Sequence, residues 1–279
     1  MGFIDLHVHS TMSDGSYTPA QLVNYACEKG LSCFALTDHD TVAGINQALK
    51  ESQSCPVKVI PGVEITCALG KHTIHILGYY VDHEDIRFIR ALRNISHYQD
   101  ERNIKICSQL NTYGIDIDYD EFRDFVGCRT ITRDHFAAFL VAGGYVSDKA
   151  QAFEKYLGKG RPCYMPQKKI PAYDAVKLII NAGGIPVLAH PKQYRLNDAG
   201  YLQLFSVLKS FGVQGVEAVY STHTHEDEVK FTKLANDLSM FITGGSDFHG
   251  ILKPDIDLGT GRGNLMISDD ILKNLKQRA

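Results

Sequence analysis

At 279 residues the chain is long enough for one large α/β domain or for a domain with an insertion, so two separate domains are not required. Apolar residues at 44% and charged residues at 22% lie near the averages of globular proteins, which excludes long disorder. A formal charge of −3 excludes a general attraction to polyanions, so any nucleic-acid contact has to be local and a long duplex is not an expected partner.

The first apolar run, residues 3–8, predicts a strand, and Met1 leads straight into its polar residues Asp5, His7 and His9 with no apolar leader. Nor does any apolar run approach the roughly 20 residues that span a bilayer, so a cytoplasmic protein without membrane partners is expected. His7 and His9, two apart on a strand, leave the same face and can reach one cation, while Leu6 and Val8 face into packing. The plain alternative is two polar residues on an exposed strand face. Asp14 lies in the glycine-containing loop that follows. Thr18 and Pro19 then open a helix that carries Leu22, Val23 and Ala26 and stops at Gly30, and a second strand over 31–36 comes at once.

Thr37-Asp38-His39-Asp40 ends that strand. Asp40 and Thr41 suit a helix start, but a helix start gives His39 no role. Gly62-Val63-Glu64 follows the next apolar strand, and a carboxylate there can bridge two cations, one oxygen to each. His75, inside Ile74-His75-Ile76-Leu77-Gly78, reads in isolation as a hydrogen-bonded core histidine.

From about Asp85 to Pro166 the strand rhythm stops, and Ile86, Ile89, Leu92, Ile95, Ile104, Cys107 and Leu110 recur at helical spacing. This predicts a mostly helical insertion over 85–166 in a barrel built from 1–84 and 167–279. Helices around 136–141 and 150–157 carry apolar faces that could cap the barrel mouth. Beyond it, helix, glycine, strand and polar cluster recur over 178–190, 208–220 and 234–249. His190 closes the first of these units with the same core-histidine alternative as His75, and Asp247 and His249 close the last with the i, i+2 spacing of His7 and His9.

Alternating strands and helices predict parallel strands joined by helical crossovers. Polar residues after nearly every strand favour a closed α/β barrel, whose one rim collects them, over an open sheet that concentrates its ligands at one switch point. The set His7, His9, Asp14, His39, Glu64, His75, His190, Asp247 and His249 exceeds what one ion can use. Imidazole with carboxylate suits manganese, iron or zinc. Two or three divalent ions sharing Glu64 is the economical reading, with a bridging hydroxide as nucleophile and phosphate oxygens held on the metals. The cysteines Cys27, Cys33, Cys55, Cys67, Cys107, Cys128 and Cys163 are odd in number and contain no C-x-x-C pair, so they read as reduced thiols.

Asp5-Leu6-His7-Val8-His9-Ser10, Thr37-Asp38-His39-Asp40, Pro61-Gly62-Val63-Glu64, His75-Ile76-Leu77-Gly78, Ala189-His190-Pro191 and Ser246-Asp247-Phe248-His249-Gly250 resemble, in order and spacing, the motifs of the polymerase-and-histidinol-phosphatase (PHP) family. The resemblance covers nearly the whole chain and is strongest to the bacterial branch of 3′,5′-nucleoside bisphosphate phosphatases and 5′-to-3′ exoribonucleases. It implies a distorted (β/α)₇ TIM-like barrel with a trinuclear site. By resemblance His7, His9, Glu64 and Asp247 hold one ion, Glu64, His75 and His190 a second, and Asp14, His39 and His249 a third, while Asp38 orients a ligand histidine through a hydrogen bond. Glu64, Asp247 and His249 then stand closest to the chemistry, with Asp14 and His39 also facing substrate.

In the insertion, Arg133 and His135 fall where that branch carries a Gly-Arg-Pro-His segment that meets substrate phosphate, but Thr132 and Asp134 replace Gly and Pro. Arg129, Arg161 and Arg195 read as solvated surface arginines. The implied substrate is a small phosphorylated molecule, a 3′,5′-bisphosphonucleotide or a short 5′-phosphorylated RNA. Sugar phosphates, cyclic phosphates and histidinol phosphate are alternatives within the class. A catalytically silent metal-binding regulatory module and a metal-dependent amidohydrolase are alternatives outside it. The second lacks support, because no lysine follows a strand where a carbamylated bridge would stand.

Overall fold

The computed structural model describes residues 2–276. Its strands are β1 (Phe3–Val8), β2 (Leu31–Leu36), β3 (Lys58–Leu69), β4 (His72–Tyr79), the two-residue β5 (Ile170–Pro171), β6 (Ile185–Leu188), β7 (Gly215–Tyr220) and β8 (Phe241–Gly245). They run in the order β1-β2-β3-β4-β6-β7-β8, with β5 paired to β3. The sheet curls into a nearly closed barrel, because residues just past β8 reach β1: Asp247 N–H donates to His7 O at 2.9 Å, and His9 N–H to Phe248 O at 3.0 Å. Gly245 makes that seam possible, since a Cβ there would lie 2.3 Å from the Cβ of His7.

The helices are α1 (Pro19–Glu28), α2 (Ile45–Glu51), α3 (Ile86–Thr112), α4 (Tyr119–Val126), α5 (Arg133–Ala142), α6 (Lys149–Ala152), α7 (Ala172–Asn181), α8 (Asp198–Phe211), α9 (His225–Asp237) and α10 (Ile271–Lys276). α1 starts as its sequence dictates: Thr18 and Gln21 form a capping box, Pro19 takes the first turn, and Leu22, Val23 and Ala26 are buried. α9 opens with the same device, Thr224 with Asp227. One apolar core joins Ile4 and Leu6 of β1 to Leu77 and Tyr79 of β4 and Ile185 and Val187 of β6. Among the described residues no helix is long and apolar enough to cross a membrane.

The chain divides into two compact units, Met1–Arg93 with Ile170–Ala279, and Asn94–Lys169. The second unit has its own core, in which Ile106 and Leu110 of α3 meet Phe122 of α4 and Phe136 and Leu140 of α5.

Two local expectations are corrected. β4 does not continue the parallel pattern: it pairs antiparallel with both β3 and β6, because the turn between Leu69 and His72 is too short for a helical crossover. Glu64 and His75 consequently lie inside β3 and β4 rather than beyond strand ends, in adjacent strands of one hairpin.

Candidate metal centre

Glu64 is the meeting point. Its Oε2 lies 3.1 Å from His7 Nε2, 3.2 Å from His9 Nε2 and 3.2 Å from His39 Nδ1. Its Oε1 lies 2.8 Å from His75 Nδ1 and 2.9 Å from His190 Nε2. Asp247 Oδ1 approaches His9 Nε2 at 3.2 Å and His7 Nε2 at 3.6 Å, and Asp14 Oδ1 lies 3.3 Å from His249 Nε2. Ligand-type atoms gather within 4.8 Å of one another in three groups: His9, Asp14, His39 and His249; His7, His9, Glu64 and Asp247; His39, Glu64 and His75. Each group shares one residue with each of the others.

The surrounding hydrogen bonds decide which imidazole nitrogen faces inward. Glu217 in β7 accepts from His7 Nδ1 at 2.9 Å and, through its other oxygen, from the backbone N–H of His190 at 2.8 Å. That fixes the tautomer of His7 with the Nε2 lone pair toward Glu64. His249 Nδ1 donates to Asp247 O at 2.8 Å, which likewise frees Nε2 to face Asp14. Asp247 Oδ2 is occupied by the Tyr220 hydroxyl at 2.6 Å and Lys253 Nζ at 2.7 Å, leaving Oδ1 for the centre. Asp247 and His190 both adopt positive φ, 60° and 26°. The Glu217 bond helps to hold His190 in that costly conformation.

Burial alone would raise the Glu64 carboxyl, but the imidazoles of His39, His7 and His75 and the hydrogen bond with His190 hold it well below the usual carboxylate range. Burial likewise opposes protonation of His9, and the carboxylates of Asp247 and Glu64 override it and bring that imidazole up to about 9. His39, where burial wins, is pushed down to about 3. Among these protein groups, protons on imidazoles supply the positive charge that the carboxylates require. A divalent cation would supply the same charge at the same atoms. The fit is supported by buried atoms that make no hydrogen bond: His7 Nε2, His9 Nε2, His39 Nδ1, Asp14 Oδ1 and Glu64 Oε2. Nitrogen and oxygen donors together match a transition-metal ion.

The fold thus brings together His7, His9, Asp14, His39, Glu64, His75, His190, Asp247 and His249. Asp38 requires a correction. It bonds no histidine; it accepts from Ser10 N–H at 2.7 Å and Ser13 Oγ at 2.5 Å, and Ser13 Oγ in turn sits 3.4 Å from His9 Nδ1. The serines intervene because the loop after β1 folds back over the end of β2. Asp40 serves no helix start either: α2 is capped at Gly44, and Asp40 accepts from Thr66 N–H at 2.9 Å.

Arg133 and His135 lie in the Asn94–Lys169 unit. Arg133 Nη1 donates to Leu157 O at 3.2 Å, and its guanidinium stacks near Phe153 and Tyr164. His135 is buried and closes the capping box of α5, its Nδ1 accepting from Thr132 N–H at 3.0 Å. Sequence reasoning missed Glu217, Tyr220 and Lys253. An acid within the otherwise apolar Gly215–Tyr220 strand was a usable signal for Glu217, since a buried carboxylate needs partners.

A barrel that concentrates buried imidazoles and carboxylates around one shared glutamate defines a metal-dependent hydrolase. The PHP domain family matches residues 5–159. A 3′,5′-nucleoside bisphosphate phosphatase of Chromobacterium violaceum is 33% identical over 260 residues, 93% of this chain and 91% of that protein. A 5′-3′ exoribonuclease of Haemophilus influenzae is 33% identical over 245 residues, 88% of this chain and 89% of its own length. A solved Bifidobacterium adolescentis structure, assigned as a metal-dependent phosphoesterase, superimposes with a TM-score of 0.85 at 28% identity, covering 99% of this chain and 96% of that one. The chain belongs to the PHP family and is a metal-dependent phosphoesterase.

Proposed function

We propose that the enzyme removes a phosphoryl group from a small nucleotide substrate, a 3′,5′-bisphosphonucleotide or a short 5′-phosphorylated RNA, using two or three manganese, iron or zinc ions. The reading rests on one observation: six imidazoles and two further carboxylates gather on and around Glu64, and among their inward atoms His7 Nε2, His9 Nε2, His39 Nδ1, Asp14 Oδ1 and Glu64 Oε2 are buried without a hydrogen bond. His7, His9, Glu64 and Asp247 would hold one ion, Glu64, His75 and His190 a second, and Asp14, His39 and His249 a third. When bound, the ions polarise the phosphate oxygens and activate the attacking water.

The protein's own part is to aim ligands and exclude competing protons. Glu217 and the Asp247 carbonyl keep His7 and His249 in the tautomers that present Nε2, and Tyr220 with Lys253 keeps Asp247 turned inward by one oxygen. Arg133 and His135 are the proposed phosphate contacts of the second unit. Arg133 has one nitrogen bonded to Leu157 O, leaving further donors of its planar fork for a phosphate.

The test pairs elemental analysis with a phosphate-release screen over nucleoside bisphosphates, short 5′-phosphorylated RNA and sugar phosphates. At least two equivalents of transition metal and a preference for the nucleotide substrates are expected. Fewer than one equivalent after growth or reconstitution in manganese, iron or zinc would remove the multinuclear reading.

A further inference from the structure

The cysteines take no part in the metal centre, and they are not alike. Cys33, Cys67, Cys107 and Cys163 are buried, whereas Cys27, Cys55 and Cys128 are half-buried and within reach of small reagents. Cys128 belongs to the Asn94–Lys169 unit, where it lies near His135. Cys27 and Cys55 belong to the barrel unit and stand side by side.

Their meeting follows from how two helices pack. Cys27 lies in the last turn of α1, one turn past Asn24, so the two side chains share a face of the helix. Asn24 Nδ2 donates to Glu51 Oε1 at 3.1 Å, which lays that face against the end of α2. The chain then makes the single turn Ser52–Ser54, closed by Cys55 N–H on Ser52 O at 3.4 Å, and the Cys55 thiol arrives in hydrogen-bond contact with the Cys27 thiol. Burial, then the Cys55 sulfur and Glu28, push the Cys27 thiol up, so Cys27 keeps its proton and donates it in that contact.

Both cysteines stand where the chain enters the barrel. β2 begins at Leu31 just after Cys27, and β3 at Lys58 just after Cys55, and the two strands pair in parallel. The ligands lie toward the other end, His39 beyond the close of β2 and Glu64 well along β3. In α/β barrels the entry end serves stability rather than chemistry.

We propose that Cys27 and Cys55 form a reversible oxidation site, at which a peroxide converts the pair into a disulfide that staples α1 to the segment entering β3. One thiol is oxidised to a sulfenic acid as the peroxide releases water. The other sulfur then attacks it, forming the S–S bond and releasing a second water, so that two electrons pass from the thiols to the peroxide. A dithiol restores both thiols by exchange and becomes the cyclic disulfide itself. The bond closes the stretch that carries β2 and α2, which restricts the unfolded chain and so stabilises the barrel without touching the centre.

The experiment exposes the full chain, loaded with zinc so that no redox-active ion competes for the oxidant, to a small excess of hydrogen peroxide. The expected product has an intact mass lower by two hydrogens and a Cys27–Cys55 crosslinked peptide that disappears on reduction. Its Tm should rise by about 4 °C or more, with metal content unchanged. Cys27→Ser and Cys55→Ser should each lose both the crosslink and the shift, so the test stands even where one of them fails to fold. Cys128→Ser should keep both. Crosslinks at other cysteines, oxidation that stops at sulfinic acid on unpaired thiols, or a Tm that does not rise with the bond in place would overturn the proposal. None of these readouts requires turnover, so they decide the oxidation site separately from the phosphoesterase chemistry.

Discussion

Five imidazole nitrogens lie 2.8–3.2 Å from the two oxygens of Glu64, so this side chain has no spare valence for a change of charge. Glu64→Gln replaces one oxygen by an amide that cannot bind a cation, and the remaining oxygen cannot serve two ions. Turnover is expected to fall by several orders of magnitude with the barrel still folded, checked by steady-state kinetics beside circular dichroism and metal content. Near-native turnover at full occupancy would remove the bridging role. The nine candidate ligands were legible in the sequence because each breaks an apolar pattern at a recurring place, as His190 does after Val187, Leu188 and Ala189. The residues that aim them were less legible. Tyr220 and Lys253 are ordinary residues at a strand end and in a loop, and only folding places both on Asp247.

At the scale of elements, the same contrast separates local from long-range information. The capping box and buried stripe of α1 are written in adjacent residues, so its limits followed from sequence. The reversed direction of β4 was not apparent from periodicity, because a strand reads alike in either direction, and only the short Leu69–His72 turn hinted at a hairpin. The seam between β1 and β8 is the element on which the centre most directly depends. A methyl group at Gly245 would meet the backbone nitrogen of His7 at 2.6 Å as well as its Cβ, and rigid backbone cannot yield as a flexible side chain does. Gly245→Ala is therefore expected to cost about 1–3 kcal/mol, as overpacking does, and to shift His7 enough to lower metal occupancy. Denaturant unfolding and elemental analysis read the two effects separately; unchanged stability and occupancy would show that the seam opens without cost.

For the molecule as a whole, the gathered ligands all belong to the barrel unit, while residues 94–169 form a separate core and carry Arg133. If that unit contributes to substrate choice, Arg133→Ala should cost about 1.5–3 kcal/mol of transition-state binding on a two-phosphate substrate, the range of a charge-assisted hydrogen bond. The loss on p-nitrophenyl phosphate should be much smaller, since that ester offers no second phosphate. Kinetics of both proteins on both substrates makes the comparison, and equal losses would assign Arg133 to the reacting phosphate or to the fold.

The place of Glu64 in two of the ligand groups also bears on how such a centre can be lost. Its two oxygens face different sets of imidazoles, so a substitution there strips a donor from both sets at once, whereas each histidine aims one nitrogen inward and its loss removes a single donor. Drift at a histidine therefore thins the centre by steps, and drift at Glu64 divides it.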